Sequence, residues 1–192
     1  MDKIKKPIYK KWWFWLIIIV IILIAIGSSG SSSSDNSNNK SQSQTQESKN
    51  KVVKLNEQSK IGDVGVKVLK VKETKNISNE AGKSKANGKF IIIELSLKNE
   101  SKDPIQYDSH DFTLNNDGKS YEIDDNSFDA SGNMNSQQSI YNNNKDFIGV
   151  YDKFNPGITK KTYLVFDVPK DLDLSKTNLV IAQDDDIQFA LK

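Results

Sequence analysis

The chain has 192 residues, a single histidine, no cysteine and no arginine, and a formal net charge of +2. Without cysteine there is no disulfide, thiolate metal site, cysteine nucleophile or acylated cysteine, and a histidine-dependent triad or transition-metal site has only His110 to use. Residues 52–192 hold 19 lysines against 22 acidic residues, a net −3 with no basic run, so the footprint of a nucleic-acid-binding protein is missing.

The first 11 residues form a basic tail, with Lys3, Lys5, Lys6, Lys10 and Lys11 against Asp2. Trp12 to Ile26 is uninterrupted apolar sequence. As a helix it spans roughly 22 Å, short of the roughly 30 Å hydrocarbon layer, but the uncharged stretch continues through Gly27 and the serines to Ser34. Trp12, Trp13 and Trp15 suit the headgroup level, and Lys10 and Lys11 hold their end in the cytoplasm. Residues 12–27 therefore read as one transmembrane helix or uncleaved signal anchor, in contact with the lipid bilayer and facing the chain outward. A signal peptide cut after Gly27 is the rival reading, since Ala25 and Gly27 put small residues at −3 and −1. Either way, the chain beyond Gly27 is exported.

Residues 28–51 contain no apolar residue except the aliphatic stems of lysine, and read as a disordered Ser/Asn/Gln linker. From Val52 the pattern has period two. Val64, Val66 and Val68 share one parity and Leu69 and Val71 the other, which predicts a bulge. Asn76 to Gly88 reads as a polar loop. Phe90 to Lys98 is the strongest strand, with Ile91, Ile93, Leu95 and Leu97 on one face and Glu94, Ser96 and Lys98 on the other.

Asn99 to Pro104 is a turn, and Ile105 and Tyr107 start an extended segment. Phe112 and Leu114, then Asn116-Asp117-Gly118, then Tyr121 and Ile123 predict a hairpin. Asp124 to Asp146 is polar and reads as a long loop with room for a short helix. Phe147 to Phe154 is expected to be a strand, ending at the turn Asn155-Pro156-Gly157. Lys161 to Val168 is a second core strand with Leu164, Phe166 and Val168 inward. Leu179–Ala182 and Ile187–Leu191 form a last pair around Asp184-Asp185-Asp186.

Seven to nine short strands and no convincing soluble helix predict an all-β, antiparallel β-sandwich over 52–192. The segments GKFIIIELSLKNESKDPIQYDSHDFTLNNDGKSYE (Gly88 to Glu122) and NPGITKKTYLVFDVP (Asn155 to Pro169) resemble the bacterial domain of unknown function 4352. That resemblance implies an extracellular immunoglobulin-like sandwich, similar in fold to the mycobacterial immunoprotective antigen, and brings no catalytic residue with it.

Candidate chemistry is sparse. His110 between Asp108 and Asp111 is the one seed for a triad or metal site, but a polar turn explains it as well. Asp184, Asp185 and Asp186, with Asp152, Asp171 or Asp173, are weak candidates for calcium. Tyr107, Phe128, Tyr141, Phe147, Tyr151 and Phe154 either form a contact patch or cap the ends of the sandwich, and capping is the preferred reading. The expectation is a non-catalytic extracytoplasmic binding or adaptor module without cofactor. Its partner is an envelope or membrane protein, recognised first through Asp124–Asn155. An exported ligand- or calcium-sensing domain is the alternative.

Overall fold

The computed structural model describes residues 51–182 and 184–192. The basic tail, the apolar segment with Lys10, Lys11, Trp12, Trp13 and Trp15, and the linker to residue 50 lie outside the described residues, as do the side chains of Asp184, Asp185 and Asp186.

Strands β1 (Lys51–Val53), β2 (Gln58–Ile61), β3 (Val64–Ser78), β4 (Lys83–Asn99), β5 (Ile105–Gln106), β6 (Phe112–Asn116), β7 (Lys119–Tyr121), β8 (Lys153–Phe154), β9 (Thr159–Val168), β10 (Thr177–Ile181) and β11 (Asp184–Ala190) make three sheets among the described residues. One has the order β1-β11-β10-β6-β7, the second β2-β3-β4-β9, and the third is the pair β5-β8. All pairings are antiparallel except β1 on β11. The two large sheets share one core, in which Ile91, Ile93, Leu95, Leu97, Leu164, Phe166 and Val168 meet Leu114, Leu179 and Phe189. This is the expected all-β sandwich, with both inward faces as predicted.

The spine is the β3–β4 hairpin. Its register shifts between Val68 and Lys70, where the valine parity breaks, and again between Thr74 and Asn76. At the second shift Lys75 Nζ reaches the carbonyls of Ala86, Asn87 (2.8 Å) and Gly88 (2.9 Å). The strands run on to Ser78 and Lys83, so the loop expected over Asn76–Gly88 is hairpin, and only residues 79–82 turn. Period-two hydrophobicity fades there because both faces of the extension carry polar residues. Gly88 is required where it stands, because an added Cβ would lie 1.9 Å from the Val168 carbonyl oxygen. The hairpin β6–β7 turns as predicted, with Asp117 at φ 48° and Gly118 at φ 80°, the left-handed pair that a two-residue loop needs.

The stretch expected to be a long loop with room for a short helix opens with a 12-residue helix, α1 (Asp125–Ser136), followed by a wider turn over Gln137–Tyr141. Asp124 caps it, accepting from Ser127 N–H at 2.8 Å. Its face toward the sheet is largely polar, and this polarity has a partner. β9 is an edge strand, and its outward N–H groups would otherwise have no acceptor. Asp167 N–H donates to Ser127 Oγ (2.8 Å), Val165 N–H to Ser131 Oγ (2.9 Å) and Tyr163 N–H to Asn135 Oδ1 (2.8 Å), while Asn135 Nδ2 returns a bond to Tyr163 O (3.0 Å). Four residues of helix rise about 6 Å and two of strand about 6.6 Å, so steps of four on α1 meet steps of two on β9. Further along, Lys161 N–H donates to Asp146 O (2.7 Å) and Ile148 N–H to Lys161 O (2.9 Å), which extends the cover.

Under the helix, Phe90, Ile92, Val165, Ile77 and Ala86 pack on Ala130 as a second small core. The hairpin tip is tied to the same helix by Asn79 Nδ2 to Asn133 O (3.2 Å) and Asn133 Nδ2 to Ser84 Oγ (3.1 Å). The strand expected over Phe147–Phe154 shrinks to Lys153–Phe154, with Phe147 making one isolated bridge to Lys161. Ser131→Ala leaves the buried Val165 N–H without an acceptor and is expected to cost about 1–3 kcal/mol, read as a lowered urea midpoint.

Candidate ligand-binding groove

The groove is built outward from Asn99, the last residue of β4, which is fully buried. A buried amide must place all its polar atoms, and this one does. Its Nδ2 donates to Asp103 O (2.8 Å) and Phe154 O (3.0 Å), and its Oδ1 accepts from Ser101 N–H (2.9 Å) and Ser101 Oγ (2.7 Å). Its backbone bonds Ile158 O (3.0 Å) and Gly157 N–H (2.8 Å). One residue thus joins the turn after β4 and strand β8 through its side chain, and the Asn155-Pro156-Gly157 turn through its backbone, and so places β5 and β8 against the sandwich. Tyr107 N–H to Asp152 O (3.1 Å) and Tyr151 N–H to Tyr107 O (2.8 Å) continue that pairing.

Between the β2–β3 turn, the end of β4 and the segment from β5 into β6 this framing leaves a cavity of about 330 Å³. Val66, Leu97, Phe112, Phe154 and Ile181 give it an apolar lining, while Asp63, Asp108 and Asp111 supply carboxylates. The volume falls at the lower end of small-molecule sites. Asp108 caps the 3-10 turn Ser109–Asp111, accepting from both His110 N–H and His110 Nδ1 at 3.0 Å. The backbone hydrogen bond from His110 is the main reason its carboxyl lies below the usual carboxylate range. Asp111 is moved the other way, first by burial and then by the Asp108 charge.

Beside the cavity, Tyr107 is buried and its hydroxyl pKa is pushed well up by that burial. Among the described residues Tyr107 Oη, Ser109 Oγ and Thr162 Oγ1 are buried without a partner. Of these three residues only Tyr107 lines the groove, which therefore has an apolar body with carboxylates and one buried tyrosine.

The structure sorts the candidates named from sequence. His110 points to Asp108 and stacks on Phe128, with ring centroids 5.5 Å apart. Among the described residues its hydrogen bonds go to Asp108, and no hydroxyl joins the pair. Asp184–Asp186 begin strand β11 and do not form the expected turn. Asp152 and Asp173 are engaged in turns, accepting from Gly149 N–H (2.8 Å) and Ser175 N–H (2.9 Å). Among the described residues no cluster of three or more His, Cys, Asp or Glu side chains is arranged to hold a metal. Of the six aromatics, Tyr107, Phe147 and Phe154 are buried, Phe128 is half-buried, and Tyr141 and Tyr151 are exposed. Asp63 was missed from sequence, because nothing local marks a turn residue as facing a groove formed by β5.

The family model described as "Domain of unknown function (DUF4352)" matches residues 53–187. The chain belongs to the DUF4352 family. No curated protein matches it. A conserved hypothetical protein from Bacillus anthracis is similar in structure, with TM-score 0.53 and 19% identity over 72% of this chain and 94% of that one. A β-sandwich protein from Clostridium difficile 630 gives TM-score 0.49 and 17% identity over 75% and 95%. The secreted protein MPT63 from Mycobacterium tuberculosis gives TM-score 0.47 and 13% identity over 72% and 95%. The first of these likenesses supports the sandwich fold. Within the DUF4352 match lie the groove, the Asn99 hub and helix α1 alike.

The opposed shifts of two neighbouring carboxyls give a pH signature. Because the folded-state pKa of Asp111 is raised, its ionisation destabilises the fold as pH rises from the ordinary carboxylate range through that higher value. Asp111→Asn is therefore expected to be more stable than the parent at about pH 7 and equal to it at about pH 3, in urea titrations at both pH values.

Proposed function

We propose that this DUF4352 protein is a non-catalytic extracytoplasmic binding module, carried at the cell membrane by the Trp12–Gly27 segment with its N-terminus in the cytoplasm. The immunoglobulin-like sandwich is its scaffold and the groove its recognition site. The observation that carries this reading is the pairing of an apolar groove with the carboxylates of Asp63, Asp108 and Asp111. Apolar walls favour desolvated hydrocarbon, and carboxylates beside them favour a positive charge attached to it. The ligand class is thus an amphipathic cation, either a small molecule or a side-chain cluster on an envelope protein.

We move the first place to look from Asp124–Asn155 to the groove, to which that segment contributes Phe154. Ser127, Ser131 and Asn135 are committed to the β9 edge, and Phe147 stacks on Tyr163 at 5.1 Å, so deleting this segment would damage the fold before it tested binding. Export rests on the apolar segment and the lysines before it.

Titrating a dodecyltrimethylammonium probe below its micelle concentration tests the groove. Saturable binding is expected, weakened about tenfold when Asp63 and Asp111 are both changed to Asn and blocked by Ile105→Trp. Equal binding by all variants would remove the groove assignment. Mass analysis of the cell-derived protein tests the anchor: an intact N-terminus in the membrane fraction supports it, and a chain starting at Ser28 refutes it.

A further inference from the structure

The outward face of the β2-β3-β4-β9 sheet divides in two. One half, with Phe90, Ile92 and Val165, lies under α1. The register places Lys67, Lys70 and Lys72 of β3 on the other half, across from Ser96, Glu94 and Ile92. Lys161 of β9 pairs with Ser96 and joins them. Lys161 has a counter-charge, Glu94 at 3.9 Å, and Lys60 and Lys98 share Glu100 at 3.6 and 3.5 Å. Among the described residues Lys67, Lys70 and Lys72 have no ion pair. A domain that is net negative thus gathers a cationic face, from positions two and three apart that no run of lysines advertises.

A second observation borders it. Met134 of α1 shares a shallow pocket with Lys70, Lys72 and Glu94, Asn135 bonds the Tyr163 backbone at the β9 edge, and the chain goes from there straight into the Gln137–Tyr141 turn. That turn leaves Ile140 69% and Tyr141 52% exposed, two adjacent large apolar side chains in water. A lysine face bordered by a helix that ends in an exposed aliphatic–aromatic pair has a definite physical preference. The ammonium groups favour phosphate headgroups, an aliphatic side chain favours the acyl boundary, and a tyrosine suits the interface between them. A soluble polyanion would satisfy the lysines alone and leave Ile140 and Tyr141 in water.

We propose that this face docks the folded domain onto an anionic phospholipid bilayer, with Lys67, Lys70, Lys72 and Lys161 at the phosphates and Ile140 and Tyr141 inserted. The proposal rests on the anchored reading, in which the apolar Trp12–Gly27 segment holds the domain near the membrane. The domain then lies on the bilayer in one orientation.

The full-length protein is reconstituted into vesicles of phosphatidylcholine alone or with about 30% phosphatidylglycerol, and lysine acylation is followed by mass spectrometry. Lys67, Lys70 and Lys72 are expected to react about fivefold more slowly in the anionic vesicles, with Lys119 and Lys153 unchanged as references. About 0.5 M salt restores their reactivity, and Ile140→Ser with Tyr141→Ser reduces the protection. Equal reactivity in both vesicles overturns the proposal, as does protection that the double serine variant leaves undiminished. Protection by soluble polyglycerol phosphate in neutral vesicles, with none from phosphatidylglycerol, assigns the face to a polymer and also overturns it. Failure of the chain to float with neutral vesicles refutes the anchor instead; flotation with anionic vesicles then supports the docking face, and its absence overturns it.

Discussion

A strand at the edge of a sheet presents N–H groups with no partner, and a sandwich must pair them, cover them or leave them to another chain. Here β9 is that strand, and the three hydrogen bonds from its N–H groups to Ser127, Ser131 and Asn135 hold the rest in place. They fix the helix, and the helix covers Phe90, Ile92 and Val165. Those residues in turn make the middle of β4 and β9 buried on both faces. Without this cover the most apolar strands of the domain would expose one face to water and one edge to any chain able to pair with it.

This cover also explains which parts of the fold were legible in the sequence. Inward residues of β4 and β9 were readable because Ile91, Ile93, Leu95, Leu97 and Leu164, Phe166, Val168 obey period two. The hairpin at Asp117-Gly118 was readable because a two-residue loop needs left-handed backbone, which glycine takes freely. Helix α1 was not. Its sequence, DNSFDASGNMNS, has few apolar side chains, and its helical stripe consists of hydrogen-bonding residues, which any hydrophobic pattern scores as loop. The missed clue lay elsewhere, in the unbroken runs Phe90-Ile91-Ile92-Ile93 and Leu164-Val165-Phe166. Strands buried on both faces read as continuous hydrophobic segments, and so imply a cover that the alternating pattern alone does not.

The candidate site was legible only in fragments for a related reason. Asp108, His110 and Asp111 stood out as a cluster, yet the groove needs Asp63, Ile105 and Phe154, which come from distant turns and short strands. Asn99 joins part of it: its buried amide ties the turn before β5 to Phe154, 55 residues away, while the neighbouring Glu100 N–H holds Asp63 O. The cationic face is likewise a product of register: Lys67, Lys70 and Lys72 share a side only because the bulge at Leu69 shifts the parity between them. Such juxtapositions belong to the sheet, and a reading along the chain passes over them.

The parallel pairing of β1 with β11 has a consequence for timing. Lys51 sits opposite Ile187, so the first strand of the domain has its sheet partner only at the far end of the chain. β10 also needs β11 along one side. Contacts this remote close late and slowly, because the loop between them must be ordered first. The β3–β4 hairpin can form as soon as Asn99 is available, whereas the five-stranded sheet must wait for β11. A chain of this design stays incomplete until β11 has been made. Synthesis that stopped before β11 would leave both β1 and one side of β10 unpaired.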